Sequence, residues 1–81
     1  PKHEQMLRSI GFVPLTPTQA MAVLVSEDGA VENRVIELPA GVGAPALVEA
    51  GNYMSATLSG LTLSDARARV ERELADGRAA L

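Results

Sequence analysis

Asp28-Gly29 lies between AMAVLV and AVENRVIEL, two runs rich in β-forming residues. A pair of this type at such a junction closes a hairpin. The loop length fixes which residues face each other, so the register can be tested against the side-chain pattern. A three-residue loop of Glu27, Asp28 and Gly29 sets Val25 opposite Val31 and Met21 opposite Val35, and one face becomes mainly apolar. The other face then pairs Leu24 with Glu32, Ala22 with Arg34 and Ala20 with Ile36. A two-residue loop would set Val25 against Glu32 and Val23 against Arg34, leaving both faces mixed. Patterning therefore selects the three-residue loop, with Gly29 in the left-handed conformation and the half-polar face assigned to solvent.

The flanks read as further elements. Met6 to Leu15 (MLRSIGFVPL) is strand-like, with Gly11 suggesting a bulge and Pro14 confining that part to an edge or strand end. Thr16-Pro17-Thr18 reads as a turn. After the hairpin, Pro39 to Gly43 is a short connector. It has neither GxGxxG spacing nor a following Lys-Ser or Lys-Thr pair, so it is not a phosphate loop. Pro45 fits the first turn of a helix reaching about Leu58, and Gly60 is placed to stop it. Leu47, Ala50, Gly51, Met54 and Leu58 recur on one stripe of that helix, whose small central residues permit close approach of another backbone. Tyr53 reads as a packing residue with its hydroxyl at the surface. Thr62 and Asp65 have the spacing of a capping box for a second helix, with Leu61 stapling against Ala66. Its apolar stripe runs through Leu63, Ala66, Val70, Leu74 and Leu81. Asp65 with Arg69, Arg67 with Glu71, Arg69 with Glu73 and Arg72 with Asp76 are spaced for helical charge support. The fold class is α+β: an antiparallel hairpin or three-stranded sheet followed by two helices.

Composition narrows the function. With 81 residues and no cysteine, the chain has one modest core and no disulfide, thiolate metal site or thiol chemistry. Ten acids outnumber seven basic residues, which argues against nucleic-acid binding by this piece. There is no membrane-spanning run and no signal-peptide layout, giving a cytoplasmic expectation. A start at Pro1 and a last helix running into Leu81 without a stop signal suggest a portion of a longer protein. His3, the only histidine, reads as a solvated terminal side chain. Glu32-Asn33-Arg34 is the one polar cluster inside a strand, and it lacks a second reactive group to make a catalytic set. No catalytic, cofactor-binding or metal-ligating residue is assigned, and the chain is not expected to be an enzyme. The apolar helix stripes suggest instead that Leu47, Met54, Leu58, Val70 and Leu74 contact a partner, with a homodimer the first expectation.

The hairpin string LVSEDGAVENRVIELPAGV resembles the middle region of the bacterial heat-inducible transcription repressors, the HrcA family. Two strands around a variable turn are followed there by V-E-N-R-[IV]-I-E-L-P-x-G. Upstream, IGFVPLTPTQAMAVLV resembles that family's strand, turn and strand. Downstream, ALVEAGNYMSATLSGLTL resembles its helix and connector, with Asn52-Tyr53, Leu58, Gly60, Thr62 and Leu63 on matching positions. Ile10 to Leu63 carries the likeness, while PKHEQMLRS matches poorly. The resemblance implies that residues 1–81 are a single fragment of the central GAF-like or dimerisation region, without the winged-helix DNA-binding domain. It implies a dimeric parent repressor that acts on the inverted-repeat operator DNA of chaperone operons and is kept active by a GroE-type chaperonin. The fragment would be the regulatory and oligomerisation portion; a small-ligand-sensing GAF-like module is the alternative. No cofactor is implied, and the role of Glu32, Asn33 and Arg34 is left open.

Overall fold

A computed structural model describes residues 5–75, with side chains in the last helix described as far as residue 73. Its elements run β1 (Leu7–Thr16), β2 (Gln19–Ser26), β3 (Val31–Glu37), α1 (Ala44–Leu58) and α2 (Leu63–Ala75). The strands form one antiparallel sheet in the order β1-β2-β3, and both helices lie on the same face of it. This is the expected α+β arrangement with three strands.

The hairpin has the register that the patterning selects. Val25 pairs with Val31, Leu24 with Glu32, Ala22 with Arg34, Met21 with Val35 and Ala20 with Ile36. Gly29 has φ +92° and donates its N–H to the Ser26 carbonyl at 3.0 Å, while the Ser26 N–H donates to the Ala30 carbonyl at 2.9 Å. The left-handed residue is required at that position, and glycine adopts it without steric cost. Between β1 and β2, the turn at Pro17-Thr18 is held by the Thr18 N–H, which donates to Thr16 Oγ1 at 3.2 Å.

Gly11 is not a bulge: it pairs in register with Val23, and the register shifts lie instead between Leu7 and Ser9 and between Pro14 and Thr16. Its smallness serves the helix above it. A Cβ built on Gly51 would lie 3.5 Å from Gly11 Cα and 3.5 Å from the Ile10 carbonyl oxygen, so α1 meets β1 with almost no side chain between the two backbones. Ser55, one turn further along α1, uses its hydroxyl twice, accepting from the Ile10 N–H and donating to the Ile10 carbonyl, both at 2.9 Å. The outward-facing backbone groups of an edge strand, which would otherwise offer a template for further pairing, are satisfied there by a helix. Beside them, the α1–α2 connector bonds the same edge through the Leu7 N–H to Leu61 carbonyl (2.8 Å) and the Leu63 N–H to Gln5 carbonyl (2.8 Å).

The α1 stripe is buried as its spacing predicts: Leu47, Ala50, Gly51, Met54 and Leu58 all face the sheet. Pro45 lies in the first turn, and Gly60, with φ +91°, ends the segment. In α2, Thr62 Oγ1 accepts from the Asp65 N–H at 3.1 Å, which is the Thr62 half of the predicted capping box. Ala66 and Val70 complete a core that also contains Leu7, Ile10, Ala20, Ala22, Leu24, Ile36 and Leu38 from the sheet and its margin. His3, Asp76, Arg78 and Leu81 lie outside the described residues.

Candidate functional site

Because side chains alternate across a strand, the pairing assigns every residue of the sheet to a face. Ile10, Phe12, Ala20, Ala22, Leu24, Glu32, Arg34 and Ile36 share the face under the helices. This reverses the expected assignment. The half-polar face, read as solvated, is the covered one, and the mainly apolar face is open. Ala20 and Ala22 share one core cluster with Leu47, Met54 and Leu58, so the face with the smaller residues receives the large side chains of α1.

Glu32 and Arg34 are accommodated on the covered face by α2. Arg67 donates to the Glu32 carboxylate and Arg34 to the Glu71 carboxylate, while Arg69 and Glu73 pair along the helix at 3.1 Å. Arg67 and Glu71, spaced to pair with each other, thus reach across to β3 instead. The match is geometric. Two residues of strand advance about 6.6 Å and four residues of helix about 6 Å, so an i,i+2 pair and an i,i+4 pair of opposite order fall opposite each other. Asn33, between them in sequence, points to the other face. The trio is therefore no reactive cluster: two members fasten a helix and the third borders an open surface.

That surface is built of three rows across the strands, Val13–Met21–Val35, Gly11–Val23–Asn33 and Ser9–Val25–Val31. Val13 is 49% exposed, Val35 52% and Val31 59%. At one end the Gln19 side-chain amide donates to Glu37 Oε2 at 3.0 Å. At the other, the hairpin loop is closed by the buried Ser26 hydroxyl, which donates to the Asp28 carboxylate, and by the Ala30 N–H, which donates to Asp28 Oδ1 at 3.1 Å. The Ser26 hydroxyl and then the Ala30 N–H stabilise the charged form and hold the Asp28 carboxyl below its ordinary value.

Four of the five residues expected to meet a partner are placed elsewhere. Leu47 (2% exposed), Met54 (0%), Leu58 (1%) and Val70 (2%) lie in the chain's own core, against the sheet, and present no surface to a second molecule. Leu74 is in the last turn of α2, and its side chain lies outside the described ones. Spacing identified these positions as buried, but it could not say against what. Tyr53, read as a packing residue, is 56% exposed on the outer side of α1.

A cleft of about 380 Å³ opens between the end of β1 and the start of α1, lined by Pro14, Leu15, Pro17, Leu38, Val42 and Leu47 among others. No charged side chain lines it, so it lacks the convergent polar groups that orient a small ligand. Among the described residues, no three acidic or histidine side chains are placed to hold a metal ion, and no helix is long and apolar enough to cross a membrane.

Comparison with known proteins agrees with the hairpin string. A family model described as "HrcA protein C terminal domain" matches residues 1–81. The heat-inducible transcription repressor HrcA of Sphingopyxis alaskensis is 58% identical over 81 residues, covering 100% of this chain and 23% of that protein. Its counterpart in Novosphingobium aromaticivorans is 57% identical over the same length, again 23% of the protein, and that of Mesorhizobium japonicum is 50% identical over 80 residues. No solved structure matches. The chain thus spans under a quarter of the length of the curated relatives it matches, and over that span it belongs to the HrcA family.

Proposed function

We propose that this chain is a structural and regulatory portion of a heat-inducible transcription repressor, lying in the central GAF-like and dimerisation region rather than in the DNA-binding part. The observation that carries the reading is the match over the whole of residues 1–81 to proteins named as such repressors. Two features of the molecule agree with a scaffold role. Among the described residues, ion pairs fasten α2 to the sheet or lie along the helix, and the valine-rich face of the sheet stands open. In this reading the whole repressor is a dimer on an inverted-repeat operator of chaperone operons, its active fold is maintained by a GroE-type chaperonin, and this region relays the state of that fold to the DNA-binding part.

A gel-shift assay with the full-length protein tests the proposal. It should retain an operator fragment from upstream of a chaperone operon, release it after a brief heat step, and recover it on incubation with chaperonin. A full-length protein that binds no such operator before heating would overturn the reading.

A further inference from the structure

We propose that the open face of the sheet is the seat of an apolar segment of the same polypeptide lying outside these 81 residues, and that it is not the contact between two copies. The proposal takes from the repressor reading only the length of the relatives.

Three observations lead there. The first is chemical. An antiparallel sheet with one solvated face normally carries its charges outward, yet here Glu32 and Arg34 point under the helices while Val13, Met21, Val23, Val25, Val31 and Val35 point away from them. Charge on this side of the sheet is confined to its ends, with Glu37 at one and Arg8, exposed at the register shift beside Ser9, at the other. The second is area. Strands about 4.8 Å apart, rising about 3.3 Å per residue, give the three rows a footprint on the order of 300 Å². A stable complex of free molecules needs about 800 Å² from each partner, so this face alone falls well short for a second copy. A segment on the same polypeptide is held at an effective concentration in the millimolar range and requires no such area. The third is length. The chain accounts for only 23% of the Sphingopyxis and Novosphingobium proteins, which leaves ample polypeptide to supply one amphipathic helix or strand pair.

The chain has no cysteine, so a thiol introduced on this face reports on it alone once labelled peptides are identified by mass. Val35→Cys and, independently, Val31→Cys are made in the full-length protein and pulsed with a maleimide, with Val48→Cys on the exposed side of α1 (63% exposed) as the freely labelled control. Labelling at 35 and 31 should be at least ~100-fold slower than in the denatured protein. That protection should not change with protein concentration across the range in which sedimentation shows the oligomer dissociating. Protection that vanishes on dissociation would assign the face to a second copy and overturn the proposal. Labelling at the denatured rate in both variants would show the face bare and overturn it equally. Operator binding is not needed for the measurement, so a protein that protects both thiols but binds no operator would sink the repressor reading and leave this one standing.

Discussion

Ser55 shows how much one side chain can settle. Its hydroxyl serves both the N–H and the carbonyl of Ile10, so its loss leaves two partly buried backbone groups without a partner. Ser55→Ala should cost about 1–3 kcal/mol in urea unfolding, far more than helix propensity would suggest, since alanine is the better helix former. Gly51 makes the opposite case. A methyl group there would sit 3.5 to 3.7 Å from its nearest neighbours, which is ordinary contact. Gly51→Ala should therefore stabilise the chain by up to about 1 kcal/mol, seen as a raised Tm, while Gly51→Leu should lower it by prising α1 from β1. At the hairpin loop, the Asp28 carboxyl is lowered by the Ser26 hydroxyl and the Ala30 N–H. Its stabilising contribution is present in full above the ordinary aspartate value, about 3.9, and is lost as pH falls through the lower folded value. Asp28→Asn, which cannot ionise, should flatten the acid limb of a stability–pH profile, with the two proteins converging at the lowest pH.

At the scale of elements, α1 and α2 are held by different forces. α1 buries a five-residue stripe along β1 and is bonded to its backbone, whereas α2 offers Ala66 and Val70 to the core and is fastened at the rim by Glu32–Arg67 and Arg34–Glu71. These pairs are a third to a half exposed, so each contributes at most about 1 kcal/mol after screening by solvent. Reversing one member, as in Arg67→Glu, should destabilise by about that amount, and the double variant Arg67→Glu with Glu32→Arg should recover most of it. Double-mutant cycles at low and high salt would measure this coupling, which should shrink as ionic strength rises. Hydrogen exchange in α2 should accordingly be faster than in α1. Element boundaries of this kind were legible because they depend on local signals: Gly29 for the loop, Pro45 and Gly60 for α1, Thr62 for α2. The ion pairs were not, since their partners stand 35 and 37 residues apart and each arginine had a nearer acid to suggest.

For the molecule as a whole, the decisive question was which face of the sheet the helices would cover, and hydrophobicity alone gave the wrong answer. Met21, Val23 and Val25 are at least as apolar as Ala20, Ala22 and Leu24, so β2 taken by itself favours burying the former set. The covered face instead combines small residues, Ala20 and Ala22, with the large Leu47, Met54 and Leu58 in one core, while Gly51 meets Gly11 beside them. Leu47, Met54, Leu58 and Val70 were read as partner contacts for a related reason, because an apolar stripe is equally consistent with a chain's own sheet and with another protein. The two rim pairs carry a further consequence, for folding fidelity. Suppose α2 docked one turn out of step. Displaced one way, Glu71 would stand opposite Glu32; displaced the other way, Arg67 would stand opposite Arg34. Either slip sets like charges against each other, so each near miss exchanges an attraction for a screened repulsion of at most about 1 kcal/mol, which biases a weakly packed helix toward its one paired position.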